Sequence, residues 1–171
     1  MPHRVFVLPL ILATAIGLSA CSSPTSIPGK VTPKANPLAS VDPCTLIAQA
    51  DVTSSGLEAG QTVDAPGARE CRWHRPDDGT TIDGYVIQIA IYDTAGIDQL
   101  NTDGGTATDY SVGRYQGKLF QDTPLNACIA SLPTSATSRV DIDVISTQGP
   151  AKACGLVQEA APHVVPRFPA T

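Results

Sequence analysis

The strongest strand pattern in the chain lies over 85–92. Tyr85, Ile87, Ile89 and Ile91 share one face there, and Val86, Ala90 and Tyr92 make the other side partly apolar. A period of two marks a strand, and apolar residues on both faces mark a central one. Residues 69–74 also read as a strand, with Cys71 and Trp73 on one face and Glu70, Arg72 and His74 on the other. Pro76-Asp77-Asp78-Gly79 is a turn between them, so the two strands predict a hairpin. Further strands are expected over 118–121, 128–132 and 140–145, with irregular chain over 57–67, a short helix over 95–100, a polar loop over 101–108 and a tight turn at Gln116-Gly117. Helical spacing occurs at the two ends. Asp42 suits an N-cap, Pro43 suits the first helical position, and Leu46, Ile47 and Ala50 fall on one face, which predicts a helix over 43–50 and a second short turn stopped by Gly56. Gly149-Pro150 opens a final helix with Ala153, Leu156, Val157 and Ala160 inward, ended or kinked at Pro162 and followed by a loose tail from Pro166. The fold class these elements predict is α+β: a curved antiparallel sheet with N- and C-terminal helices packed on one face.

Ahead of this pattern lies a different one. Val5 to Leu18 is almost unbroken apolar sequence, interrupted only by Pro9, Thr14 and Gly17, with Arg4 as a weakly basic start. The run is shorter than the about 20 residues that a membrane-spanning helix needs, so residues 1–20 read as a signal peptide. Its end, Leu18-Ser19-Ala20-Cys21, resembles a bacterial lipobox, the signal at which a diacylglyceryl group joins the cysteine thiol and the leader is removed. The resemblance implies lipidation at Cys21, with the membrane as partner through that anchor and the chain on the extracytoplasmic face of the cell membrane. Two or more acyl chains give stable anchoring. Residues 21–41, dominated by Ser, Thr, Pro and Gly without an apolar period, read as a flexible tether. Residues 42–167 read as a single globular domain.

Charge and cysteine content narrow the function classes. Sixteen acidic residues against 11 basic ones give a net charge of −5, which argues against nucleic acid as a partner, since phosphate binding needs a basic stripe. With Cys21 lipidated, Cys44, Cys71, Cys128 and Cys154 remain. An even count in an exported chain reads as two disulfides, for which three pairings are open. No nucleophile elbow, phosphate loop or dinucleotide fingerprint is present, and neither a cofactor nor a catalytic residue is expected.

Four groupings could carry chemistry. Cys71-x-x-His74 is half of a metal-ligand pattern, but a strand points the two residues to opposite faces and the cysteines suit disulfides better, so no metal is expected. Arg69, Arg72 and Arg75 near His74 could hold an anion, yet Glu70, Asp77 and Asp78 balance them as on a solvated strand face. Asp141 and Asp143 share a face and could do acid–base work; alternating with Val140, Ile142 and Val144, they read as the polar side of a half-exposed strand. Trp73, Tyr85 and Tyr92 could line a ligand pocket and read rather as core.

Asp42-Pro43-Cys44 followed by an aliphatic pair, then Cys71-Arg72-Trp73, then a late cysteine on a strand and another in the final helix, resembles the DUF3558 family of actinobacterial, often mycobacterial, lipoproteins of unknown function. The resemblance covers residues 41–165 with the lipobox and tether in front. It implies the pairs Cys44–Cys71 and Cys128–Cys154, each tying a helix to a strand, and carries over no catalytic residues. The function expected is a non-enzymatic binding module that meets an envelope protein, glycan or lipid. The alternative is a lipid or small-ligand carrier with a pocket between sheet and helices, and a third reading is a hydrolase with scattered catalytic residues. A filled core with an exposed apolar patch, a large dry cavity, or a histidine bonded to both a serine and a carboxylate in a cleft would favour these in turn.

Overall fold

The computed structural model describes residues 36–80, 83–103 and 105–169, so the leader and Cys21 lie outside the described residues. The alternation at Tyr85–Tyr92 becomes a strand with those bounds, β3, and the residues before it form the hairpin partner β2, Ala68–Arg75. The remaining strands are β1 (Gln61–Ala65), β4 (Gly105–Val112), β5 (Tyr115–Asp122), β6 (Ala127–Ser135) and β7 (Ser138–Ser146). All seven make one antiparallel sheet in the order β1-β2-β3-β7-β6-β5-β4. Every sequential pair is adjacent except β3 and β4. The connection over 93–104 carries the chain from the middle of the sheet to its far edge, and β5, β6 and β7 bring it back to β3.

Cross-strand register stacks the apolar residues on one face. Cys71, Ile89, Ile142 and Ala130 form one row, and Trp73, Ile87, Val144 and Cys128 the next. Trp73 is 1% exposed, and Ile89, Ile142 and Val144 are fully buried. The helix Pro150–Val164 (α2) packs over β6 and β7 and buries Ala153, Val157, Ala161 and Val164. Leu156 and Ala160, expected inward, are only partly buried at the side of this stripe.

Two disulfides join the cover to the sheet. Cys44 bridges to Cys71 and Cys128 to Cys154, with Cα atoms 5.0 and 4.9 Å apart. The pairing that the family resemblance implies is the one formed.

Several expectations are corrected. No continuous N-terminal helix forms over 43–50. A 3₁₀ turn, Pro43–Thr45, is capped by Asp42 Oδ1, which accepts the Cys44 N–H at 2.9 Å, and a separate short helix, α1, spans Gln49–Ser54. The break lets the adjacent residues Leu46 and Ile47 both turn inward, whereas consecutive helical positions diverge by about 100°; Ala50 is exposed. Residues 36–41, assigned by composition to the tether, belong to the folded unit: Leu38 is fully buried and Asn36 Nδ2 donates to Asp93. The irregular stretch 57–67 contains β1, and the polar loop 101–108 gives way to β4. Both are edge strands with mostly exposed residues, which have no core face to impose an alternation. The β4–β5 turn lies at Gly113-Arg114, where Gly113 has φ +55°, while Gly117 sits inside β5 against the Ser131 carbonyl with no room for a side chain. Helix α2 continues past Pro162 to Val164, because only one hydrogen bond of its last turn is lost while Ala161 and Val164 stay buried on either side. The tail is held: Val165–Arg167 forms a 3₁₀ turn, and Phe168 meets Tyr115 edge-on with ring centroids 5.3 Å apart.

Replacing Cys128 and Cys154 together by alanine is expected to lower unfolding stability by about 3–4 kcal/mol, the loop-closure contribution for a loop of this size. Urea titration of oxidised parent and variant checks this, and a loss below about 1 kcal/mol would show that the bridge does not constrain the unfolded chain as argued.

Candidate binding cleft

The partly buried stripe of α2 has a role that its core stripe does not. Leu156 and Ala160, continued at the end of the helix by the core residue Val164, recur at four-residue intervals and face Ile47 and Leu57 from the N-terminal segment and Ile87 from β3. Between them lies a half-open cleft of about 410 Å³, within the range of about 300–1,000 Å³ common for small-molecule sites. Its floor is apolar. Its rim carries Asp51 of α1 and Glu159 and His163 of α2, one turn apart, with the Ser54 and Ser55 hydroxyl groups beside Asp51.

Asp51 Oδ1 lies 3.7 Å from His163 Nδ1, an ion-pair distance beyond hydrogen bonding. Ser54 Oγ donates to the Asp51 carbonyl at 3.2 Å, so this hydroxyl serves its own helix. Tyr85 closes one wall. Burial pushes its phenol above the ordinary tyrosine range, nearby Arg75 partly offsets this, and Glu159 adds to the rise. The ring therefore offers a neutral hydroxyl. Among the described residues no lysine or arginine lines the cleft. Arg75 stands beside it with its guanidinium 5.6 Å from the Tyr85 ring centroid, and pairs with Asp83 at 2.9 Å. Apolar surface with acceptors at the rim suits binding.

The groupings singled out from sequence separate in space. Trp73 is core, Tyr85 is a wall of the cleft, and Tyr92 lies on the opposite sheet face under Arg139, 3.9 Å from guanidinium to ring centroid. Arg69 points to the same face as Trp73, pairs with Asp93 at 2.8 Å and donates to the Leu38 carbonyl at 2.7 Å, which holds down residues 36–41. Arg72 pairs with Glu70 on the other face. Cys71 is consumed by its disulfide, and His74 faces away from it toward Glu58 at 3.4 Å.

Asp141 and Asp143 do share a face, on which Asp141 is buried and Asp143 partly buried, which corrects the half-exposed reading for Asp141. Asp141 is 6% exposed. It accepts Ser131 Oγ at 2.5 Å and Arg139 Nε at 3.1 Å, and the Arg139 guanidinium also donates to the Gly96 carbonyl at 3.0 Å. This network pins the crossing connection to β7. Burial raises the Asp141 carboxyl above its usual range, against the opposing pull of Arg139 and Ser131. Burial also pushes Asp143 up to about 6. Gln88 Nε2 donates to Asp143 Oδ2 at 2.9 Å, while Oδ1 is buried without a hydrogen-bond partner.

The sequence offers a pocket between sheet and helices as an alternative, with Tyr85 as a candidate lining residue, but does not point to the cleft's rim of Asp51, Glu159 and His163. Glu159 and His163 at four-residue spacing beside Leu156 and Ala160 carry a legible signal for a second helix face, but Asp51, more than a hundred residues away in the chain, joins them only through the fold.

A family model described as a protein of unknown function, DUF3558, matches residues 16–167, and the chain belongs to that family. No curated protein and no solved structure is similar enough to count as a match.

The raised Asp143 carboxyl sets a pH dependence. Between the unfolded value of 3.8 and the folded value of about 6 the native state holds more proton than the unfolded one. The stabilising contribution is therefore complete below the lower value and lost as pH rises through the upper one. Asp143→Asn is expected to stabilise the protein at pH 7 by about 1–3 kcal/mol and to flatten the fall in stability across that window. Urea titrations through this pH range check it; an unchanged slope would refute the assignment.

Proposed function

We propose that this member of the DUF3558 family is a lipid-anchored protein of the cell envelope that works by non-covalent binding. The observation that carries the binding role is the cleft. Its floor is apolar, its walls come from α1, β3 and α2, and both cover segments are tied covalently to the sheet beneath. A site held this way is pre-organised, which reduces the ordering cost of binding. The anchor rests on Leu18-Ser19-Ala20-Cys21, which falls inside the family match, and on paired cysteines of the kind that persist in oxidising compartments outside the cytoplasm. Among the described residues no helix is long and apolar enough to cross a membrane.

The envelope-partner reading and the carrier reading both use this site. A specific feature favours the carrier. The cleft is a concavity with an apolar floor, whereas Leu125 and Ile145, the exposed large apolar side chains among the described residues, do not line it. The protein then receives a lipid or other small amphiphile close to the bilayer to which it is attached.

Cys21→Ser is expected to abolish acyl labelling and move the chain out of the acylated membrane pool. Metabolic labelling with an alkyne fatty acid, followed by membrane fractionation, reads both effects. An unacylated parent chain, or four alkylatable thiols at Cys44, Cys71, Cys128 and Cys154, would overturn the envelope assignment.

A further inference from the structure

We infer that the cleft takes an amphiphile with one aliphatic chain and a cationic head, an alkylammonium-like group, held by Asp51 and Glu159. The inference rests on the binding reading above and names the chemistry of its ligand.

The tail is set by the floor. Leu156, Ala160 and Val164 form a track along α2 that rises about 12 Å at 1.5 Å per residue. Ile47, Leu57 and Ile87 close it from the other side. An apolar track of this length between two helices and a strand suits an extended aliphatic chain.

The head is set by the charge of the rim. Asp51 and Glu159 are its two carboxylates, and the remaining titratable side chains of the cleft are His163 and Tyr85. An anionic head, such as a fatty-acid carboxylate, would meet these acids with no lysine or arginine among the described residues lining the site to receive it. The guanidinium of Arg75, which lies against the Tyr85 ring, is engaged by Asp83. A neutral head would gain nothing from the carboxylates, of which Asp51 already has His163 Nδ1 at 3.7 Å, but would not be repelled. A cation gains from both carboxylates, and the Tyr85, Ser54 and Ser55 hydroxyl groups can accept further N–H donors. The order of preference is therefore cation over neutral over anion.

The test uses the full chain, acylated and anchored in nanodiscs of phosphatidylcholine, a zwitterionic lipid that does not concentrate one probe charge over another. Three photoreactive probes share one diazirine-bearing aliphatic chain and end in an amine, an alcohol or a carboxylate. Mass spectrometry of the crosslinked peptides locates the label. The amine is expected to label peptides carrying Leu57, Tyr85 or Leu156 saturably and about tenfold more than the carboxylate. In the Asp51→Asn, Glu159→Gln double variant, amine labelling should fall to the alcohol's level while alcohol labelling stays unchanged, showing that the cleft is intact. Carboxylate labelling equal to or above amine labelling, or a preference that survives the double substitution, would overturn the cationic head and leave the binding reading standing. Absence of saturable labelling by all three probes would overturn the ligand class and the carrier reading together. The envelope assignment is judged separately, by acylation at Cys21.

Discussion

The pairing of β3 with β7 is the constraint on which the rest of the structure depends. Eight consecutive pairs, from Tyr85 with Ser146 to Tyr92 with Arg139, join strands separated by the whole of β4, β5 and β6. Their register decides which side chains face the helix. As built, Ile87, Ile89 and Ile91 stand beside Val144, Ile142 and Val140 in the core. A slip of one residue would turn Asp141 and Asp143 into that core, because strand side chains alternate with a period of two. The apolar and polar halves of β7 thus guard the register from opposite directions.

The same register explains a buried polar network on the face away from α2. Arg139, Asp141, Ser131 and Tyr92 come together because β6, β7 and β3 are neighbours, and the guanidinium is completed by the Gly96 carbonyl of the crossing connection. A charged group taken out of water must be paired and hydrogen-bonded to persist. Here the pairing fastens the one connection that does not run between adjacent strands. Asp143, one pleat further along, lacks full satisfaction and retains its proton more readily.

On the helical face the cover is made of two pieces distant in sequence, the segment around Cys44 and α1 before the sheet and α2 after it. Neither is long, and each is stitched to a central row of the core, Cys71 in one and Cys128 in the other. Helices this short gain most of their order from packing. Because the two pieces meet over the start of β3 without closing on one another, a cleft remains between them, with core residues as its floor and the helices' outer acids as its rim.

The chain's own alternation was enough to place β2, β3, β7 and much of β6, since these strands bury one face and polarity follows burial. The order of Cys44, Cys71, Cys128 and Cys154 led to the family and to the bridges formed. What stayed hidden had no local signature. Edge strands β1 and β4 exist through their partners' hydrogen bonds. Leu38 is core because Arg69 and Asp93 hold residues 36–41 against the sheet. Pro162 stays helical because its neighbours are buried, and Asp141 is buried because Arg139 travels with it. The cleft belongs to this second class: Asp51, Tyr85 and Glu159 share a site only after β3 and α2 have been brought beside α1, and a sequence pattern extends over a turn or a pleat, not across a sheet.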